Sequence, residues 1–254
     1  MAGLSIFVHA VRMVLGSLNP ALRIGAVPVL VMVISGWLLA SGTAPVDGTV
    51  PQMPGAGAFG GGLLLMVVQV LASLWVAVAW HRYILLEEQP GAFLPVWNGA
   101  AIWSYFKAGL IVGLIIAALA IPLMVIVMMV LMPGMMESNQ PPGLLTGLVI
   151  FLVVGIPATW LGYRLGPKLA GAAIGQDLSV GEAWRATGRG AVDLLGLAVV
   201  SAVALWLPLM IVGQLPGIRR LLLSAVLNWA SVMVGVGIIT TIYGHYVQGR
   251  ALNA

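Results

Sequence analysis

The sequence predicts an all-α fold, a polytopic transmembrane helix bundle of six spans with short cytoplasmic interfacial helices. Three observations lead there. Hydrophobic residues make up 61% of the chain and charged residues 7%, against roughly 25% charged in a soluble domain. So few charges cannot cover a water-facing surface, and so much hydrophobicity excludes ordinary disorder. Six apolar runs then come close to the ~20 residues that cross a bilayer as a helix, too long and too uniformly apolar for the ~10-residue alternating strands of a membrane barrel.

The elements follow in order. Leu4–Leu18 is apolar with polar marks at His9, Arg12 and Ser17. It is short for a span, so it reads as an interfacial helix on the cytoplasmic leaflet, broken by Asn19-Pro20. The first apolar run lies beyond Arg12 and Arg23 and is longer than a signal h-region, which predicts an uncleaved first span. The six spans are Ile24–Ala40, Leu63–Leu86, Ala108–Met132, Leu144–Tyr163, Ala191–Gly213 and Leu221–Tyr243. They use nearly the whole chain, so residues 1–254 form a single integral membrane domain.

Span 2 leaves the membrane through Trp80-His81-Arg82-Tyr83, with Trp80 and Tyr83 expected in the aromatic belt at headgroup depth. The Trp-rich stretch Phe93–Phe106 is expected to lie on the surface as a second interfacial segment. Span 3 carries Gly109-x-x-x-Gly113, a close-approach face. An outer loop is expected at Thr43–Gly60, and a tight one at Pro133–Pro142. Span 4 ends at Trp160, Tyr163 and Arg164. Ser179-x-x-Glu182 has the spacing of a capping box, so a helix should start there and run through Trp184 and Arg185, ended by Gly188 and Gly190. Asp193 falls in the first turn of span 5, where the helix dipole stabilises an acid.

Loop charges set the orientation, because Lys and Arg are retained in the cytoplasm. Arg12, Arg23, Arg82, Lys107, Arg164, Lys168, Arg185, Arg189 and Arg250 fall on one side, and only Arg219 and Arg220 on the other. Both termini are therefore expected in the cytoplasm. Seven of these residues, Arg12, Arg82, Lys107, Arg164, Lys168, Arg185 and Arg189, form the candidate site, a basic collar that faces anionic lipid headgroups or a partner complex. Their dispersal among loops argues for lipid and against nucleic acid.

The chemistry missing from the sequence narrows the function. No cysteine is present, which removes disulfides, thiol catalysis and Cys-ligated metals. No H-E-x-x-H, P-loop or G-x-S-x-G pattern occurs. His9, His81 and His245 are far apart in sequence, so neither a metal site nor a cofactor is expected. No charge falls mid-span, which argues against an ion-coupled pump. Gln69 and Asn228 are the large polar residues deep in the spans. They read either as interhelical hydrogen-bond glue or as a polar path for a neutral or lipid-like solute.

The chain also reads as three copies of surface helix, span, span, over residues 1–86, 87–170 and 171–254. Six spans behind an amphipathic N-terminus, Trp80-His81-Arg82-Tyr83 closing span 2, and Ala183-Trp184-Arg185-Ala186-Thr187 before span 5 resemble a loose group of six-span bacterial inner-membrane proteins. That group includes the YciC-like proteins and the membrane domain joined to some glycerophosphodiester phosphodiesterases. The resemblance implies a bacterial inner-membrane location. It implies no activity, because the chain has no phosphodiesterase domain. The expectation is a non-enzymatic helper or scaffold contacting lipids, a membrane complex or a second copy of itself, with a channel or transporter as the alternative.

Overall fold

The computed structural model describes residues 2–42, 56–92, 94–138, 144–213, 215 and 217–252. Residues 43–55 and 139–143, within the two outer loops expected from the sequence, lie outside them. Among the described residues there is no strand, and the fold is the all-α bundle expected. Helix α1 covers Ala2–Gly16, α2 Leu18–Gly42, α3 Ala56–Leu86 and α4 Gly99–Ser138. Helix α5 covers Leu144–Ile150, α6 Ile156–Ala173, α7 Val180–Ala186, α8 Ala191–Gly213 and α9 Gly217–Tyr246. Six stretches are long and apolar enough to cross a membrane: one each in α2, α3, α4, α8 and α9, and one running through α5 and α6.

Helices α5 and α6 are joined by a π-helical turn at Phe151–Gly155, just ahead of Pro157. Pro157 has no N–H to give, and an inserted residue is the usual way a helix absorbs that gap. The break between α1 and α2 is a single turn residue at Ser17, earlier than the Asn19-Pro20 expected. Pro20 falls within the first turn of α2, where its missing N–H costs nothing.

Two expectations about α4 need correction. Phe93–Phe106 is not a separate surface helix. Residues 94–98 are irregular, and Gly99 opens a helix that runs unbroken through the third span to Ser138. The Asn98 side-chain oxygen accepts from the Ala101 N–H at 3.0 Å, an N-cap that starts the helix there. Forty residues at 1.5 Å each give about 60 Å, twice the hydrocarbon thickness. Pro133 lies inside the helix rather than in an outer turn. No separate short helix therefore precedes α4 in the way that α1 precedes α2 and α7 precedes α8.

Gly109 and Gly113 are not a packing face within the chain. A methyl on Gly109 would only touch Leu169, at 4.0 Å, and one on Gly113 would meet nothing. The close approaches are elsewhere. A Cβ on Gly25 would stand 2.8 Å from both Met233 Sδ and Trp229 Nε1, which brings α2 against α9.

The bundle has two unlike ends. One, the basic end, holds the C-termini of α3, α6 and α9 with α1 and α7; the far end holds the start of α9 and the ends of α2, α4 and α8. The main core lies toward the basic end. It joins Ile6, Ala10 and Val14 of α1 to Ile24, Trp80, Leu194, Leu197, Ile238 and Ile242. Ile6, Ala10 and Val14 repeat every four residues, so α1 buries one stripe against α8 and α9. Trp80 has no exposed surface, so it is a core residue and not the headgroup-level anchor expected.

Candidate functional site

The seven basic residues of the candidate collar divide by what they touch. Helix α6 turns one face toward the segment that follows it, and Trp160, Arg164 and Lys168 recur on that face every four residues. Trp160 Nε1 donates to the Ala191 carbonyl at 2.8 Å. Arg164 donates from Nε to Thr187 Oγ1 at 2.9 Å and from Nη2 to the Trp184 carbonyl at 2.8 Å. Its guanidinium lies 3.8 Å from the centre of the Trp184 ring and 5.5 Å from that of Trp160, a cation–π clamp. Lys168 Nζ donates to Asp177 Oδ1 at 3.0 Å and the Leu178 carbonyl at 2.8 Å.

Arg164 and Lys168 are only 4% and 6% exposed. Both therefore work inside the protein, fastening the segment from Asp177 to Ala191 onto α6. Thr187 completes the fastening. Its single hydroxyl proton is within reach of the Arg164, Ala183 and Trp184 carbonyls. The sequence signal for this ladder was the four-residue spacing of Trp160, Arg164 and Lys168, which a reading of them as separate interfacial anchors passes over.

Helix α7 starts as its sequence requires. Ser179 Oγ accepts from the Glu182 N–H at 3.2 Å, and the Ser179 N–H donates to Glu182 Oε2 at 2.7 Å, a complete capping box. Hydrogen bonds from Ser179 hold the Glu182 carboxyl below the usual glutamate range. Asp193 falls in the first turn of α8, as expected.

Arg82 is half-buried. It pairs through Nε with Glu88 and through Nη1 with the Ala173 carbonyl at 3.2 Å, tying α3 to the end of α6. Between them Glu87 takes φ +58°, a left-handed residue closing α3. Arg12, Lys107, Arg185 and Arg189 are exposed. Four of the seven candidates thus present charge to the surroundings, and three hold the fold.

His9 and His245 line one small cavity together with Thr240. His81 has no exposed surface; its Nδ1 is 2.9 Å from Thr240 Oγ1, and its ring lies 5.7 Å from Tyr105. It is an interior link between α3 and α9, not an interfacial residue. His245 Nδ1 is 3.1 Å from the Arg250 carbonyl, beyond the end of α9. Among the described residues no group of three His, Cys, Asp or Glu side chains could hold a metal.

Gln69 and Asn228 do come together, on one cavity of about 640 Å³ between α2, α3 and α9. Gln69 Nε2 donates to the Met32 carbonyl at 3.3 Å, which is interhelical glue. Asn228 Nδ2 donates back to the Ser224 carbonyl one turn earlier, at 2.8 Å. Arg220 and Ser224 line the same cavity, and neither stood out as a site residue in the sequence.

No family model, no curated protein and no solved structure matches this chain. Fold and site together define a class: a multi-pass, all-helical integral membrane protein, with most of its surface-exposed cations toward one end of its bundle.

Proposed function

We propose that this protein is a non-enzymatic helper or scaffold of the bacterial inner membrane, with both termini cytoplasmic and its basic end in contact with anionic headgroups or a partner complex. The observation that carries the reading is the exposure of Arg12, Lys107, Arg185 and Arg189 at the basic end, beside the exposed rings of Trp97, Trp103 and Trp184. Indole rings favour the headgroup layer, and each basic residue near an anionic surface contributes about 1 kcal/mol. The excess of basic residues at that end supports a cytoplasmic position for it. Resemblance to the six-span group supports the bacterial inner membrane.

The test replaces Arg12, Lys107, Arg185 and Arg189 together with Gln. The fold-holding Arg82, Arg164 and Lys168 stay intact, so a loss is not simple unfolding. The variant retains several-fold less anionic phospholipid or partner protein in native mass spectrometry than wild type. Unchanged retention contradicts the reading. A second reading, transport of a neutral or lipid-like solute, is favoured by the cavity that Gln69 and Asn228 share.

A further inference from the structure

Arg219 and Arg220 are doubly out of place. They are the basic residues set apart from the other nine, and they sit near the N-terminus of α9, whose first turn carries no acid. The helix dipole there favours anions and disfavours cations. Neither topology nor helix stability accounts for the pair, whereas an anion held at that end of the helix does.

Arg220 lines the cavity between α2, α3 and α9. The cavity's volume of about 640 Å³ lies within the roughly 300–1,000 Å³ of small-molecule sites. Among its described lining residues there is no carboxylate. From Arg220 it descends α9 past Ser224 to Val232, and α2 from Trp37 to Val29. Twelve residues of helix give about 18 Å, close to the ~15 Å of hydrocarbon in one leaflet. Below Val29 and Val232 the cleft ends, because Gly25 packs directly on Trp229 and Met233.

We infer that this cleft is a binding site for one phospholipid molecule, its phosphate at Arg220 and one acyl chain running down toward Val29 and Val232. Ser224, one turn below Arg220, falls at the depth of the glycerol esters. The cleft is a pocket closed at its inner end, not a through-path. The inference is independent of the basic end, and it gives the cavity that Gln69 and Asn228 share an occupant in place of a transported solute.

The test reconstitutes the full chain in nanodiscs containing a phosphatidylglycerol with a photoactivatable acyl chain. Irradiation followed by peptide mapping places the adducts. The site predicts adducts concentrated on the cleft-lining stretches of α2 and α9. Arg220→Gln lowers their yield roughly fivefold, and Ser224→Trp, which fills the cleft, abolishes them. Val203→Trp, at an exposed apolar position on α8, leaves the yield unchanged. Millimolar inorganic phosphate does not compete, because it lacks the chain. Adducts spread evenly over the exposed faces, insensitive to both cleft variants, overturn the site. Competition by inorganic phosphate overturns the phospholipid as its occupant. Thermal melts establish that each variant is folded; if Arg220→Gln is not, Ser224→Trp decides alone.

Discussion

Helices α4 and α6 run antiparallel side by side and are built to opposite plans. Of the 18 residues of α6, 11 are buried, Arg164 and Lys168 among them. On α4 the burial is confined to its first turns, Ala101 to Val112, and past Val112 only Val127 is buried among the described side chains. Met129 and Val130 are more than 70% exposed. The more hydrophobic helix is the less buried one. In lipid an apolar side chain gains little by leaving the surface, so small residues, polar side chains and packing decide which face turns inward. The same contrast separates the two ends of the molecule. The basic end is locked by directional hydrogen bonds, while at the far end α2, α3 and α9 stand apart around a cleft.

The largest effect should come from the ladder. Arg164→Leu removes two bonds from a charged donor, to Thr187 Oγ1 and the Trp184 carbonyl, costing roughly 3 kcal/mol. In detergent its thermal midpoint falls well below wild type, while Arg185→Leu, on the exposed side of α7, stays within about 0.5 kcal/mol. Equal effects would erase the distinction between the two arginines.

Gly190→Ala comes next. Its Cβ would lie 1.9 Å from Tyr246 Oη and 2.4 Å from the ring carbon bearing that oxygen. Overpacking of this kind costs roughly 1–3 kcal/mol. Adding Tyr246→Phe restores only part of the loss, because the ring carbon remains. A thermal double-mutant cycle reads the coupling, and strict additivity would place Tyr246 elsewhere.

The capping box should contribute less. Ser179→Ala lowers stability by about 1 kcal/mol. Its pH dependence carries the sign. A carboxyl whose folded pKa is depressed stabilises fully above its unfolded value of about 4.3 and loses that stabilisation as pH falls through the lower folded value. Wild type therefore loses stability below pH 4 through Glu182, and Ser179→Ala loses less over that window. Parallel melting curves from pH 6 to 3 would contradict the role given to Ser179. The smallest effect is a gain: Glu87→Gly relieves a left-handed non-glycine residue and stabilises by about 1 kcal/mol or less.

How much of this the sequence shows depends on the physics behind each feature. Span count was legible because crossing lipid takes a fixed length of apolar helix, and Ala191–Gly213 was placed to the residue. The capping box was legible because Ser179 and Glu182 satisfy a local rule. Facing was not legible from hydropathy. Trp80, Arg164 and Lys168 carry interfacial residue types, yet Trp80 packs into the apolar core and the two cations find hydrogen-bond partners across a turn. The start of α4 was missed for a related reason. The two Trp and the lack of charge in 97–106 suit a surface segment, whereas the Asn98 cap and the packing of Tyr105 on Ala77, Val78 and Ala173 make it the root of a long helix. The cleft required coordinates, because Gln69 and Asn228 are 159 residues apart.

The most direct test of the central claim uses the absence of cysteine from the chain. Single cysteines at Gly181, on α7, and Gly213, at the far end of α8, both positions where a side chain meets open space, are probed with a membrane-impermeant thiol reagent in intact cells. The account predicts labelling of Gly213→Cys from outside and of Gly181→Cys only after permeabilisation. Labelling of both from the same side would contradict it.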